Sequence, residues 1–133
     1  MNSIAQNNPA ATVPGIETLV NRFEELARQE KWFDIQDELF AEDVKSIEPA
    51  GSPYFNNATG KEAVRKKAKE FVERIEAVHG TYTSQPVVGG SFFCVGRGVD
   101  LTVKGHGHVK IDQLMVYQVA DGKIISEQFF YTV

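Results

Sequence analysis

GHVKIDQLMVYQVADGKIISEQFFYTV, residues 107–133, alternates along most of its length. Ile111, Gln113, Met115, Tyr117 and Val119 fall on one side of an extended chain, with Lys110, Asp112, Leu114, Val116 and Gln118 on the other. Ala120-Asp-Gly-Lys123 then reads as a tight turn, after which Ile125, Glu127, Phe129 and Tyr131 oppose Ile124, Ser126, Gln128 and Phe130. The stretch predicts a long antiparallel hairpin with large apolar groups on both faces. One face must cover other elements of the same chain. The other, with Leu114, Val116 and Phe130, stays out of water only if something packs there, and a second copy of the same sheet is the simplest candidate.

Working towards the N-terminus, turn signals recur at Gly105-His-Gly107 and Val88-Gly-Gly-Ser91, and β-branched and aromatic residues alternate from Val78 onward. Four consecutive antiparallel strands are expected. Before them, Thr59-Gly-Lys-Glu62 has the form of a capping box ahead of Val64, Ala68, Phe71, Val72 and Ile75, a helical spacing. Val44–Glu48 alternates and stops at Pro49, so Glu48 is expected at a strand end. Pro49 to Thr59 is loop by composition. Trp32–Phe40 predicts a short helix closed by Ala41-Glu-Asp43, and Ile16, Leu19, Val20, Phe23, Leu26 and Ala27 trace one face of a helix running to about Gln29, with Pro14 in its first turn. The order α-α-β-α-β-β-β-β predicts an α+β fold, with three helices packed on a strongly bent antiparallel sheet.

The chain has 133 residues and a formal charge of −4, which suits one domain able to bury a core without disulfides or structural metal. Residues 1–15 read as a flexible polar leader and 16–133 as a single domain. Weak acidity, and no basic run longer than Arg65-Lys66-Lys67, argue against nucleic acid or an anionic membrane as partner. No stretch approaches the length of a membrane span. Cys94 is the only cysteine, which excludes an internal disulfide, makes a cytoplasmic setting the default, and reads as a small core hydrophobe. The glycine pairs around 89–98 lack the strand-to-helix context of a nucleotide loop, so no cofactor is expected.

The helical hairpin, Ser46-Ile-Glu-Pro49, Thr59-Gly-Lys-Glu-Ala63, Asp121-Gly-Lys-Ile124 and Glu127-Gln-Phe-Phe-Tyr131 together resemble the nuclear transport factor 2-like superfamily over about residues 16–131. Within it the chain is most similar to the bacterial SnoaL-like proteins, relatives of polyketide cyclases and ketosteroid isomerases. The resemblance implies a cystatin-like, cone-shaped α+β barrel. Such cones host isomerases, cyclases, dehydratases, hydrolases and plain binding domains, so function must be argued from the site. In ketosteroid isomerases a carboxylate before a proline at the end of the first strand shuttles the proton, and Glu48-Pro49 matches it. The tyrosine and the acid that hydrogen-bond the oxyanion there correspond to Phe23 and Met115. Neither can donate, which argues against efficient steroid isomerisation.

Glu48 is therefore the leading candidate for a general base in an apolar cone. Glu127 and Tyr131 fall on the inferred inner face, with Arg97 as the expected partner of Glu127. An Arg–Glu pair there could equally organise the core or recognise a ligand carboxylate. His79 joins them as a possible acid if its strand points inward. The remaining expected pocket residues are Tyr54, Gln113, Met115, Phe129, Phe23 and Trp32. His106, His108 and Asp112 do not make a convincing metal set, because histidines two apart across a turn splay and no fourth ligand is at hand. The resulting expectation is a homodimeric pocket protein for a small hydrophobic molecule, catalysing proton transfer from Glu48 or acting as a binding module without turnover.

Overall fold

A computed structural model describes residues 12–133, so most of the expected leader lies outside the described residues. The part that is described is not loose: Val13 donates its N–H to the carbonyl of Gly90 at 3.2 Å and packs against the core. The elements run α1 (Ile16–Arg28), α2 (Trp32–Leu39), β1 (Phe40–Ile47), β2 (Ala58–Thr59), α3 (Lys61–Glu73), β3 (Ile75–Thr83), β4 (Val87–Gly89), β5 (Phe92–Val103), β6 (Gly107–Ala120) and β7 (Lys123–Phe130). This is the expected α+β cone, with three helices held by one curved sheet in the order β2-β1-β7-β6-β5-β3 and β4 also paired to β5. Two short strands, β2 and β4, add to the predicted set. The β1–β7 pair is parallel, so the sheet is mixed. Among the described residues no helix is long and apolar enough to cross a membrane.

The stripe of α1 is buried as its spacing dictates, from Ile16 to Ala27. It rests on Phe93, Val95, Met115, Tyr117 and Val119 of the sheet, with Phe23 edge-on to Trp32, Phe93 and Tyr117 at 4.9–5.9 Å between ring centres. A second apolar cluster around Phe71, Leu101, Val103, Val109 and Ile111 fills the other end of the cone.

Several local expectations are corrected. Phe40, read as the end of the second helix, opens β1, and Ala41-Glu-Asp43 lie inside that strand. The strand ends at Ile47, one residue before Glu48. No capping box forms: Thr59 pairs with Lys45 in the β1–β2 ladder, and Gly60, at φ 95°, precedes α3 without a side-chain cap. Strand pairing has claimed the threonine. On β7 the predicted faces hold from Glu127 onward but not before. A bulge between the pairs Gln118–Ser126 and Val119–Ile124 puts Ile124, not Ile125, fully in the core. Cys94 lies opposite Val116 and is half-buried, while its neighbours Phe93 and Val95 occupy the core.

Candidate functional site

The two-residue period sets most of the site. Ser46 and Glu48 follow Val44 on the inward side of β1, and the parallel register places Ser46 beside Glu127 of β7. From α3, Lys67 stands three residues after Val64 and four before Phe71, both buried, so its side chain enters the cone with them. The four polar groups meet. Lys67 Nζ donates to Ser46 Oγ and to Glu48 Oε2, each at 2.7 Å, and Ser46 Oγ donates to Glu127 Oε2 at 2.7 Å. Tyr131 donates to Glu48 Oε1 at 2.8 Å and lies 2.5 Å from Ser52 Oγ. The amide of Asn57 braces the loop by accepting the Glu48 N–H at 2.7 Å. The result is a continuous chain from Ser52 through Tyr131, Glu48, Lys67 and Ser46 to Glu127.

Electrostatics follow from burial. Glu127 is buried, and desolvation pushes its carboxyl up to about 7, with the Glu48 charge acting the same way and Ser46 and Lys67 acting against it. Burial, and then the hydrogen bond to Glu48, push the Tyr131 hydroxyl up, while Ser52 opposes. Lys67 also lies 5.5 Å from the Phe129 ring centre and 5.7 Å from that of Phe55, so its charge is enclosed by aromatic faces as well as by its partners.

Beside this network opens a cavity of about 440 Å³, walled mainly by apolar groups from α3, β3, β5, β6 and β7. Glu48, Lys67 and Gln113 are among the polar groups in its wall, and Glu30, Trp32 and Arg97 line it too. A shallower groove of about 680 Å³ runs past Leu114, Phe130 and Tyr131, and it shares Glu48, Gln113 and Phe129 with the cavity.

Glu48, Arg97, Gln113, Phe129 and Trp32 line the cavity. Tyr131 reaches the site through Glu48, and Glu127 through Ser46. Four expectations change. Arg97 does not pair with Glu127: its guanidinium binds Glu30 at 2.9 and 3.3 Å, because Glu30 follows α1 directly onto the β3–β5 edge of the cone. His79 is on the opposite face of the sheet, 2.8 Å from Thr102 Oγ1 and ring-to-ring with His108, whose Nε2 meets Asp100. A register shift in β3 between Val78 and Gly80 accompanies that placement. Tyr54 packs with Phe55 and His106 against the second apolar cluster, outside the cavity wall. Phe23 and Met115 are core residues, the latter accepting the Tyr117 hydroxyl on its sulfur at 3.7 Å.

Lys67, Ser46 and Glu30 are the members sequence reading missed. Lys67 carried a signal, a lone cation in the apolar register of α3, and Ser46 lies two residues before Glu48 on the same side of β1.

The SnoaL-like domain model matches residues 15–131. The chain belongs to the SnoaL-like family. A candidate SnoaL-like polyketide cyclase of Mesorhizobium loti, also described as a carbohydrate phosphatase, is 33% identical, with 87% of this chain and 98% of that one aligned at a TM-score of 0.81. A candidate SnoaL-like polyketide cyclase of Jannaschia sp. CCS1 shares the fold at 18% identity, with 94% and 89% covered and a TM-score of 0.66. So does a Catenulispora acidiphila protein with a ketosteroid isomerase-like fold, solved with trimethylamine, at 21% identity, 74% and 73% coverage and a TM-score of 0.59. Among curated proteins none matches the sequence. SnoaL-like membership accounts for the cone and leaves the chemistry to the residues inside it.

Proposed function

We propose that this SnoaL-like protein takes a small hydrophobic carbonyl compound into the cone and moves a proton on it, with Glu48 as the base. The observation that carries the reading is the Glu48 carboxylate in the wall of a mostly apolar cavity, ion-paired to Lys67. Each Glu48 oxygen receives one hydrogen bond, from Tyr131 or from Lys67, and so keeps a lone pair for a substrate proton. Glu48 would take a proton from the carbon next to the carbonyl while the C–H electron pair forms a carbon–carbon double bond and the carbonyl π pair moves onto the oxygen. The Lys67 ammonium and the Gln113 amide are the cavity donors able to receive that negative oxygen, standing in for the donors that Phe23 and Met115 cannot supply. Return of the proton to the same or another carbon completes an isomerisation-type step. Glu127 acts on this step through Ser46 and Lys67 and not by touching the ligand. Efficient ketosteroid isomerisation is not expected.

A second reading, binding without turnover, is favoured by one observation: the charged groups already satisfy one another. The two are separated by following deuterium incorporation beside the carbonyl of trans-2-decalone in D₂O. Catalysis by Glu48 predicts exchange that Glu48→Gln slows by about 10² with little loss of binding. Full exchange in that variant would reject Glu48 as the base. Binding by the wild type with no exchange above the buffer rate would support the binding module. In either reading the protein is proposed to act as a homodimer through the outer sheet face.

A further inference from the structure

We infer that the cavity selects ligands carrying a carboxylate, and that Arg97 is the residue that binds it. The inference rests on the cavity being a ligand site and specifies what enters it. The strand registers order the inner face into rows. Val95, Met115 and Phe129 form one, Thr81, Val99 and Ile111 another, and between them Thr83, Arg97 and Gln113 stand side by side. A polar row thus crosses an otherwise largely apolar wall.

Within that row Arg97 is a largely covered cation whose carboxylate partner is exposed. Its side chain is 12% exposed, that of Glu30 is 46% exposed. The guanidinium has supports that do not depend on Glu30: it lies 4.4 Å over the Trp32 ring and donates to Thr83 Oγ1 at 3.0 Å. Glu30 sits at φ 56°, in the left-handed region, on the turn after α1, and is tied back by Trp32 Nε1 at 3.0 Å. A ligand carboxylate entering the cavity can replace Glu30 on the guanidinium. Arg97 then stays paired, while Glu30, already half in water, loses only an exposed ion pair. A neutral headgroup makes no such exchange. A cationic ligand would have to take Glu30 and leave the largely covered Arg97 without a carboxylate, the costly alternative. Arg97 on β5 and Glu48 beyond β1 are three strand spacings apart, roughly 14 Å between backbones before side-chain reach is subtracted. Between them is room for an apolar body of one or two rings.

Trp32, the only tryptophan of the chain, reports on this site directly. Binding of 4-cyclohexylbutanoate and of 4-cyclohexylbutanamide is titrated at pH 7 by Trp32 fluorescence and by calorimetry. The acid should bind at least tenfold more tightly than the amide. Arg97→Gln should erase that preference, and Arg97→Lys, which keeps the charge without the fork, should retain part of it. Glu30→Gln should strengthen acid binding several-fold and leave the amide unchanged. Equal affinity of acid and amide for the wild type would overturn the role of Arg97 while leaving the cavity a ligand site. Weaker acid binding by Glu30→Gln would overturn the exchange. If neither compound binds, the ligand-site reading falls together with this one.

Discussion

The ammonium of Lys67 lies 2.7 Å from Oε2 of Glu48, with the two side chains 13% and 4% exposed, one carried on α3 and the other on the loop that leaves β1. This ion pair joins the helical layer to the sheet at the edge of the cavity. It also determines what each residue can do, since neither charge is buried without the other.

Loss of the cation should therefore be severe. Lys67→Met is expected to destabilise the fold by about 3–5 kcal/mol, because it strands a buried carboxylate. The double variant Lys67→Met/Glu48→Gln should recover much of that loss. Urea unfolding of the two single variants and the double variant checks this; additive losses would show that the pair is not energetically coupled.

Glu127 yields a pH prediction. Its folded carboxyl is raised to about 7, above the 4.5 of an unperturbed group, so between those values the folded chain holds a proton that the unfolded chain has released. Stability is therefore expected to fall as pH rises from about 4.5 to 7, by about 3 kcal/mol from this group, and to level off above. Glu127→Gln should remove that slope. Parallel denaturation series at pH 5 and 8 decide it, and identical pH profiles for variant and wild type would refute the assignment.

Gln36 on α2 is buried, and its Oε1 has no hydrogen-bond partner. Replacing it with methionine, similar in length and without the stranded acceptor, should raise stability by about 1 kcal/mol. Thermal unfolding would reveal an increase of a few degrees for a domain of this size. A loss of stability would mean that the amide makes a contribution its missing bond conceals.

On the outer face, Leu114 and Phe130 are each about half exposed, and they are cross-strand neighbours beside Val116. The proposed homodimer predicts a sedimentation coefficient near that of a two-chain particle at micromolar concentration. Val116→Asp should shift the population to monomer, because the interface would bury an unpaired charge. A wild-type monomer of undiminished stability would discard the dimer.

Local pattern was enough to place the three helices, the long hairpin, the inward phase of Met115, Tyr117, Glu127 and Phe129, and Glu48 to within one residue of a strand end. Each depends on periodicity within one segment, where side-chain direction is dictated by backbone geometry alone. Contacts between segments were not legible in that way. The partner of Arg97 is Glu30 and not Glu127, because the path of the chain after α1 decides which carboxylate arrives at β5. Lys67 meets Glu48 because α3 crosses β1 at that point, and Ile124 displaces Ile125 from the core because β7 bulges against β6. A segment's sequence specifies which face is apolar, but pairing between segments depends on register, bulges and crossing positions, which the packing of the whole chain selects.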